Sequence, residues 1–142
     1  MEKIALQDIE VQVEASNWQE AITKAGQLLA DDHKIDIGYI DSMIQAVNQL
    51  GPYIVLMPEF ALAHAAPSSH VKETSISLIT LKKPVYFGSK NDPVSIVMCI
   101  ACVDKTSHME LLQEVAKKLM TDGILNKMKQ CRTSEELYAL FN

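Results

Sequence analysis

Four histidines and three cysteines are the side chains of this 142-residue sequence best suited to covalent chemistry. A neutral imidazole is a good nucleophile near pH 7, because its ordinary pKa is about 6.5. An N-phosphorylated imidazole stays a high-energy donor, so a group placed on it can move on. His64 stands in Phe60-Ala61-Leu62-Ala63-His64-Ala65-Ala66, and the four alanines leave little bulk to keep another protein away. If residues 60–65 are extended, His64 shares a face with Phe60 and Leu62. His108 follows Ser107 at the start of a helical pattern, where unpaired N–H groups and the helix dipole favour an anion. His70, close behind His64, reads as a loop residue that could approach the same site. His33, in Asp31-Asp32-His33-Lys34, reads as a solvated loop. Glu59 could orient an imidazole or repel a misplaced anion, and equally fits a solvent-facing loop carboxylate. None of these histidines has the spacing of a zinc site.

The cysteines point away from redox chemistry. Cys99-Ile100-Ala101-Cys102 is a C-x-x-C string inside Val94–Val103, an apolar run that reads as a buried strand. Residues three apart on a strand face opposite ways, so these thiols diverge, and no helix N-terminus lies beside them to lower a thiol pKa. With three cysteines there is no disulfide framework either.

The elements that must position the histidines follow from periodicity. Ile9–Glu14 alternates as a half-buried strand. Ser16 offers an N-cap for a helix carrying Trp18, Ala21, Ile22, Ala25, Leu28 and Leu29, and a second helix runs from about Asp36 to Leu50. That helix sets Ile37, Ile40, Met43, Ile44 and Val47 on its apolar face, and Gly51-Pro52 stops it. Tyr53–Met57, Phe60–Ala65, Thr74–Leu81 and Val85–Phe87 read as strands, and Gly88–Pro93 as a turn. Ser107 with Glu110 has capping-box spacing for a helix through Leu111, Leu112, Val115, Leu119 and Met120. Two shorter helices follow, Ile124 to Cys131 and Glu135 to Phe141, the latter opened by Thr133 with Glu136. The predicted class is α/β, a mixed central β-sheet flanked by helices on both faces, with residues 1–142 as a single domain.

Composition narrows the function. Thirteen basic against eighteen acidic residues give a net charge of −5, which argues against nucleic acid and suits a basic protein partner. No apolar run reaches the roughly 18 residues that span a bilayer, and the N-terminal residues lack a signal-peptide pattern. The expected location is the cytoplasm, with no direct membrane insertion.

The segment Gly51-Pro52-Tyr53-Ile54-Val55-Leu56-Met57-Pro58-Glu59-Phe60-Ala61-Leu62-Ala63-His64-Ala65-Ala66-Pro67 resembles enzyme IIA of the bacterial sugar phosphotransferase system, of the mannitol/fructose type and most closely its ascorbate-type branch. The likeness continues through Val71–Leu78, Pro84–Gly88, Asn91–Val94 and His108–Leu112, and Trp18–Ile22 matches the family's first helix. The resemblance implies a phosphocarrier that takes a phosphoryl group from the small carrier HPr onto its own histidine, as tele-phosphohistidine. It then passes the group to a cysteine of enzyme IIB, and through it to membrane enzyme IIC, for uptake of ascorbate or a related compound.

By position in the motif the acceptor is His64, and the family's second histidine falls on His108, which would stabilise the phosphoryl group. Glu59 and His70 are secondary candidates. No metal or organic cofactor is implied. On composition alone His64 fits a core histidine at the end of an apolar strand; the family-wide match turns the reading to a phosphoacceptor.

Three positions depart from the family's pattern: Glu59 where glycine is common, Ala63 where proline is common, and Ala66 where arginine is frequent. Arg132 is the only arginine in the chain. Without a guanidinium beside His64, a phosphoryl group must be met by backbone N–H groups, His108, a lysine or the partner. The alternative on the same fold is a regulatory binding module controlled by His64 phosphorylation.

Overall fold

The computed structural model describes residues 4–142. Its sheet is built around β5 (Val94–Ala101), every residue of which is buried. An unbroken apolar strand belongs at the centre, where both faces are covered. β4 (Ser75–Val85) pairs antiparallel with β5 on one side and β3 (Glu59–Ala63) parallel on the other. β1 (Ile9–Val13) lies parallel to β4 at one edge, and β2 (Val55–Met57) antiparallel to β3 at the other, giving the order β1-β4-β5-β3-β2.

Two helical layers close the faces. α1 (Trp18–Asp31) and α2 (Ile37–Leu50) bury Ala21, Ile22, Leu29, Tyr39 and Met43 against Ala61, Ala63, Val97 and Cys99. α3 (Lys105–Leu119), α4 (Ile124–Gln130) and α5 (Ser134–Phe141) bury Leu111, Val115, Met128, Leu137 and Phe141 against Phe60, Leu62, Met98, Ile100 and Cys102. Each large apolar side chain so enclosed contributes about 1.5–3 kcal/mol. The fold is the expected mixed sheet with helices on both faces. Cys99 and Cys102 enter opposite clusters as buried thiols outside any disulfide, as strand alternation requires.

Several boundaries differ from the sequence reading. The first helix is capped by Asn17, whose Oδ1 accepts from the Glu20 N–H at 2.8 Å, and not by Ser16. α2 begins one residue after the expected Asp36, which caps it, and Ile37, its first residue, is 67% exposed while Tyr39 takes an interior place. α3 begins three residues early: Asp104 caps it by accepting from the Ser107 N–H at 2.7 Å. Met120 lies past its end and is exposed. The strand expected from Tyr53 starts at Val55, since Tyr53 sits in the turn after α2.

Val85 does not open a new strand but ends β4, which continues through Lys82-Lys83-Pro84. β1 pairs with β4 only as far as Leu81, so Pro84 falls where no neighbouring strand on that side needs its N–H. The predicted turn before β5 is drawn together by Asp92, whose carboxylate accepts from the N–H groups of Phe87, Gly88 and Ser89 at 3.0, 2.8 and 2.9 Å.

Candidate functional site

Parallel pairing of β3 with β5 sends both carboxyl ends to the same edge of the sheet, the place where open α/β sheets put ligand sites. Ala63 pairs with Cys99, and His64 is the next residue of its strand's path. β5 ends at Ala101 and leads within a few residues into α3, whose fourth residue is His108. Topology thus brings the two histidines together from positions far apart in sequence. Their ring centroids lie 5.4 Å apart with the planes tilted by 47°.

His64 Nδ1 lies 2.6 Å from the carbonyl oxygen of Leu62. A carbonyl can only accept, so Nδ1 carries the proton and donates, and Nε2 keeps the lone pair. Burial lowers the His64 pKa from its ordinary value; the Leu62 bond opposes that shift, and the nearby His108 adds to it. Burial lowers His108 as well. Both rings are therefore neutral at pH 7. His108 Nδ1 is buried with no hydrogen-bond partner among the described residues, which leaves a polar nitrogen of that ring uncommitted.

The peptide joining His64 to Ala65 is held from both sides. Tyr53 Oη donates to the His64 carbonyl at 2.9 Å, and the Ala65 N–H donates to Tyr39 Oη at 3.0 Å. Tyr39 Oη in turn donates to the Ile100 carbonyl at 2.8 Å, tying the loop after β3 to β5. Burial raises the Tyr39 pKa far above its ordinary value, so it stays a protonated donor. The Tyr53 ring meets the His64 ring edge-on, centroids 5.3 Å apart at 84°.

Other expected features fall elsewhere. Glu59 opens β3 at the end opposite His64 and pairs with Lys129 Nζ at 2.6 Å, so it does not orient the imidazole. His70 donates from Nδ1 to Asp36 Oδ1 at 2.7 Å, beside Gly38, where any Cβ would run into the His70 ring. Two of the N–H groups expected to be open around His108 are taken, because Asp104 accepts from the Ser107 N–H by its side chain and from the His108 N–H by its carbonyl. Of the four alanines around His64, only Ala66 is exposed; Ala61 and Ala63 lie in the core cluster shared with α1 and α2, and Ala65 is buried. Arg132 lines a surface hollow with Gln12 and Lys129. His33 is exposed in the turn after α1.

A family model, described as "Phosphoenolpyruvate-dependent sugar phosphotransferase system, EIIA 2", matches residues 3–142. The chain belongs to this family. Among its curated relatives, the ascorbate-specific PTS system EIIA component of Salmonella typhimurium is 35% identical over 136 residues, covering 94% of this chain and 88% of the relative. The solution structure of the mannitol-specific cryptic phosphotransferase enzyme IIA of Escherichia coli superposes with a TM-score of 0.87 at 28% identity, covering 97% of this chain and 94% of that one. The IIA mannitol crystal structure from Escherichia coli, at 20% identity, shares the fold with a TM-score of 0.86 over 99% of this chain and all (100%) of that one.

Within the EIIA family the departure at Glu59 has a backbone consequence. Its φ is +73°, in the left-handed region that glycine enters freely and other residues enter at a cost. The ion pair to Lys129 fixes Glu59 there in glycine's place. No helix among the described residues of this EIIA chain is long and apolar enough to cross a membrane.

Proposed function

We propose that this EIIA chain is a phosphocarrier that receives a phosphoryl group from phosphorylated HPr on Nε2 of His64 and yields it to a cysteine of enzyme IIB. The carrying observation is the bond from His64 Nδ1 to the Leu62 carbonyl, which leaves Nε2 as the nucleophilic nitrogen, with a second imidazole 5.4 Å away between centroids. In the first step a P–N bond forms at Nε2 as the P–N bond to HPr breaks, and the donor ring takes back its lone pair. In the second a thiolate forms a P–S bond as the bond to Nε2 breaks. Such transfers are mainly a matter of positioning and charge stabilisation.

The Leu62 bond helps both ways. It removes the proton from Nε2 before attack, and it favours keeping a proton on Nδ1 afterwards, which makes the ring a better leaving group. His108, with its uncommitted nitrogen, can stabilise the phosphoryl oxygens. The ascorbate-specific relatives support ascorbate or a related compound as the sugar, carried through the membrane component IIC, with residues 1–142 acting in the cytoplasm as a single domain. No metal or organic cofactor enters the scheme.

Incubation with phosphoenolpyruvate, enzyme I and HPr should give an acid-labile, base-stable label. His64→Ala should abolish it, and His108→Ala should slow labelling by about 10–100-fold without removing the site. A label that survives in His64→Ala would defeat the assignment. The exposed Ala66, where the family resemblance leads one to expect arginine, motivates a second reading, a regulatory module switched by His64 phosphorylation. Efficient onward transfer to a cognate enzyme IIB would count against it.

A further inference from the structure

We propose that Tyr53 is a positioning residue for His64, holding the imidazole so that Nε2 is the nitrogen presented to an incoming phosphoryl group. The inference rests on His64 being the acceptor. Two independent contacts carry it: the phenol hydroxyl donates to the His64 carbonyl at 2.9 Å, and the phenol ring packs edge-on against the imidazole at 5.3 Å. The first fixes the backbone from which the ring hangs. The second limits rotation about the ring's own bond, a torsion that is broad when nothing touches it.

The consequence is chemical as well as geometric. A free neutral imidazole in water prefers its proton on Nε2, the tautomer in which that nitrogen cannot attack. The Leu62 carbonyl at 2.6 Å imposes the opposite tautomer, and that bond survives only while the ring keeps this orientation. Tyr53 packs edge-on against that ring, so its loss would free the imidazole to turn away from Leu62. The peptide after His64 is already anchored on its other side by Tyr39, so the Tyr53 bond completes a clamp on a single peptide unit.

The test compares Tyr53→Phe, which keeps the ring and loses the hydroxyl, with Tyr53→Leu, which loses both contacts. Two-bond ¹H–¹⁵N couplings of the His64 ring in ¹⁵N-labelled, unphosphorylated protein report the tautomer without any transfer reaction. Wild type is expected almost wholly as the Nδ1–H form and Tyr53→Leu as a mixture. With phosphorylated HPr as donor, Tyr53→Phe should slow maximal transfer about 2–5-fold and Tyr53→Leu about 10–50-fold, with little change in half-saturation. An unchanged tautomer ratio in Tyr53→Leu, or a loss confined to half-saturation, would overturn the proposal. If Tyr53→Leu fails to fold, Tyr53→Phe decides: transfer equal to wild type would overturn it. Wild-type protein that shows the Nδ1–H form but takes no label would refute the acceptor assignment instead, so the two failures are distinct.

Discussion

At the scale of single residues, the account turns on which form of His64 is present at neutral pH. In the proposed function the neutral ring is the nucleophile, and burial holds its pKa below the ordinary 6.5. The proton is therefore lost at lower pH than from a free imidazole, and the reactive form extends into mildly acidic solution. An NMR titration of the unphosphorylated protein should give a His64 midpoint below 6.5. His108→Ala should raise that midpoint, because it removes the neighbouring ring's unfavourable charge and opens the site to water. A midpoint at or above 6.5 in wild type would mean that the ring is solvated. His64 was singled out in the sequence by the family resemblance of the segment around it, since the small residues beside it fit a core histidine just as well. Tyr39 and Tyr53 were not, since a phenol that bonds the backbone of a distant element leaves no mark in spacing.

At the scale of elements, the sequence misplaced caps more often than it misplaced helices. Ser16 and Asn17 are both good caps in adjacent positions, as are Asp104 and Ser107 three apart, and only the helix's final register chooses between them. The convergence of His64 with His108 was hidden for a related reason: it depends on β3 and β5 pairing in parallel, a long-range choice that the apolar run Val94–Val103 does not encode by itself. Strand β3 offers its own prediction. Glu59 occupies a left-handed conformation held by Lys129, so Glu59→Ala loses the ion pair and keeps the strain, whereas Glu59→Gly loses the pair and relieves it. Chemical denaturation should find Glu59→Gly more stable than Glu59→Ala by about 1 kcal/mol, against the usual order for these two residues. Equal or reversed stabilities would show that this backbone position carries no strain.

At the scale of the whole molecule, stability should depend on a charge buried far from the histidines in sequence. Asp8 is fully enclosed and bonded to Lys34 Nζ at 2.9 Å, and its pKa is raised to about 6, chiefly by burial. Between pH 4 and 6 the unfolded chain ionises this carboxyl while the folded chain keeps it protonated, so folding loses stability as pH rises, and the loss is complete above about 6. In Asp8→Asn that loss is absent. The melting temperature of Asp8→Asn minus that of wild type should therefore climb from pH 4 to 6 and then level off; a difference independent of pH would contradict the assignment. Subtracting the two curves cancels the histidines, which act in the opposite sense by favouring the unfolded chain as pH falls below 6.5. The proposed function asks one thing of this fold, a sheet edge that holds the His64 imidazole with Nε2 free. The most direct test is ¹⁵N and ³¹P NMR of the protein after phosphorylation by phosphoenolpyruvate, enzyme I and HPr: the account predicts one phosphorylated nitrogen, Nε2 of His64, and phosphate on Nδ1 of that ring or on His108 would contradict it.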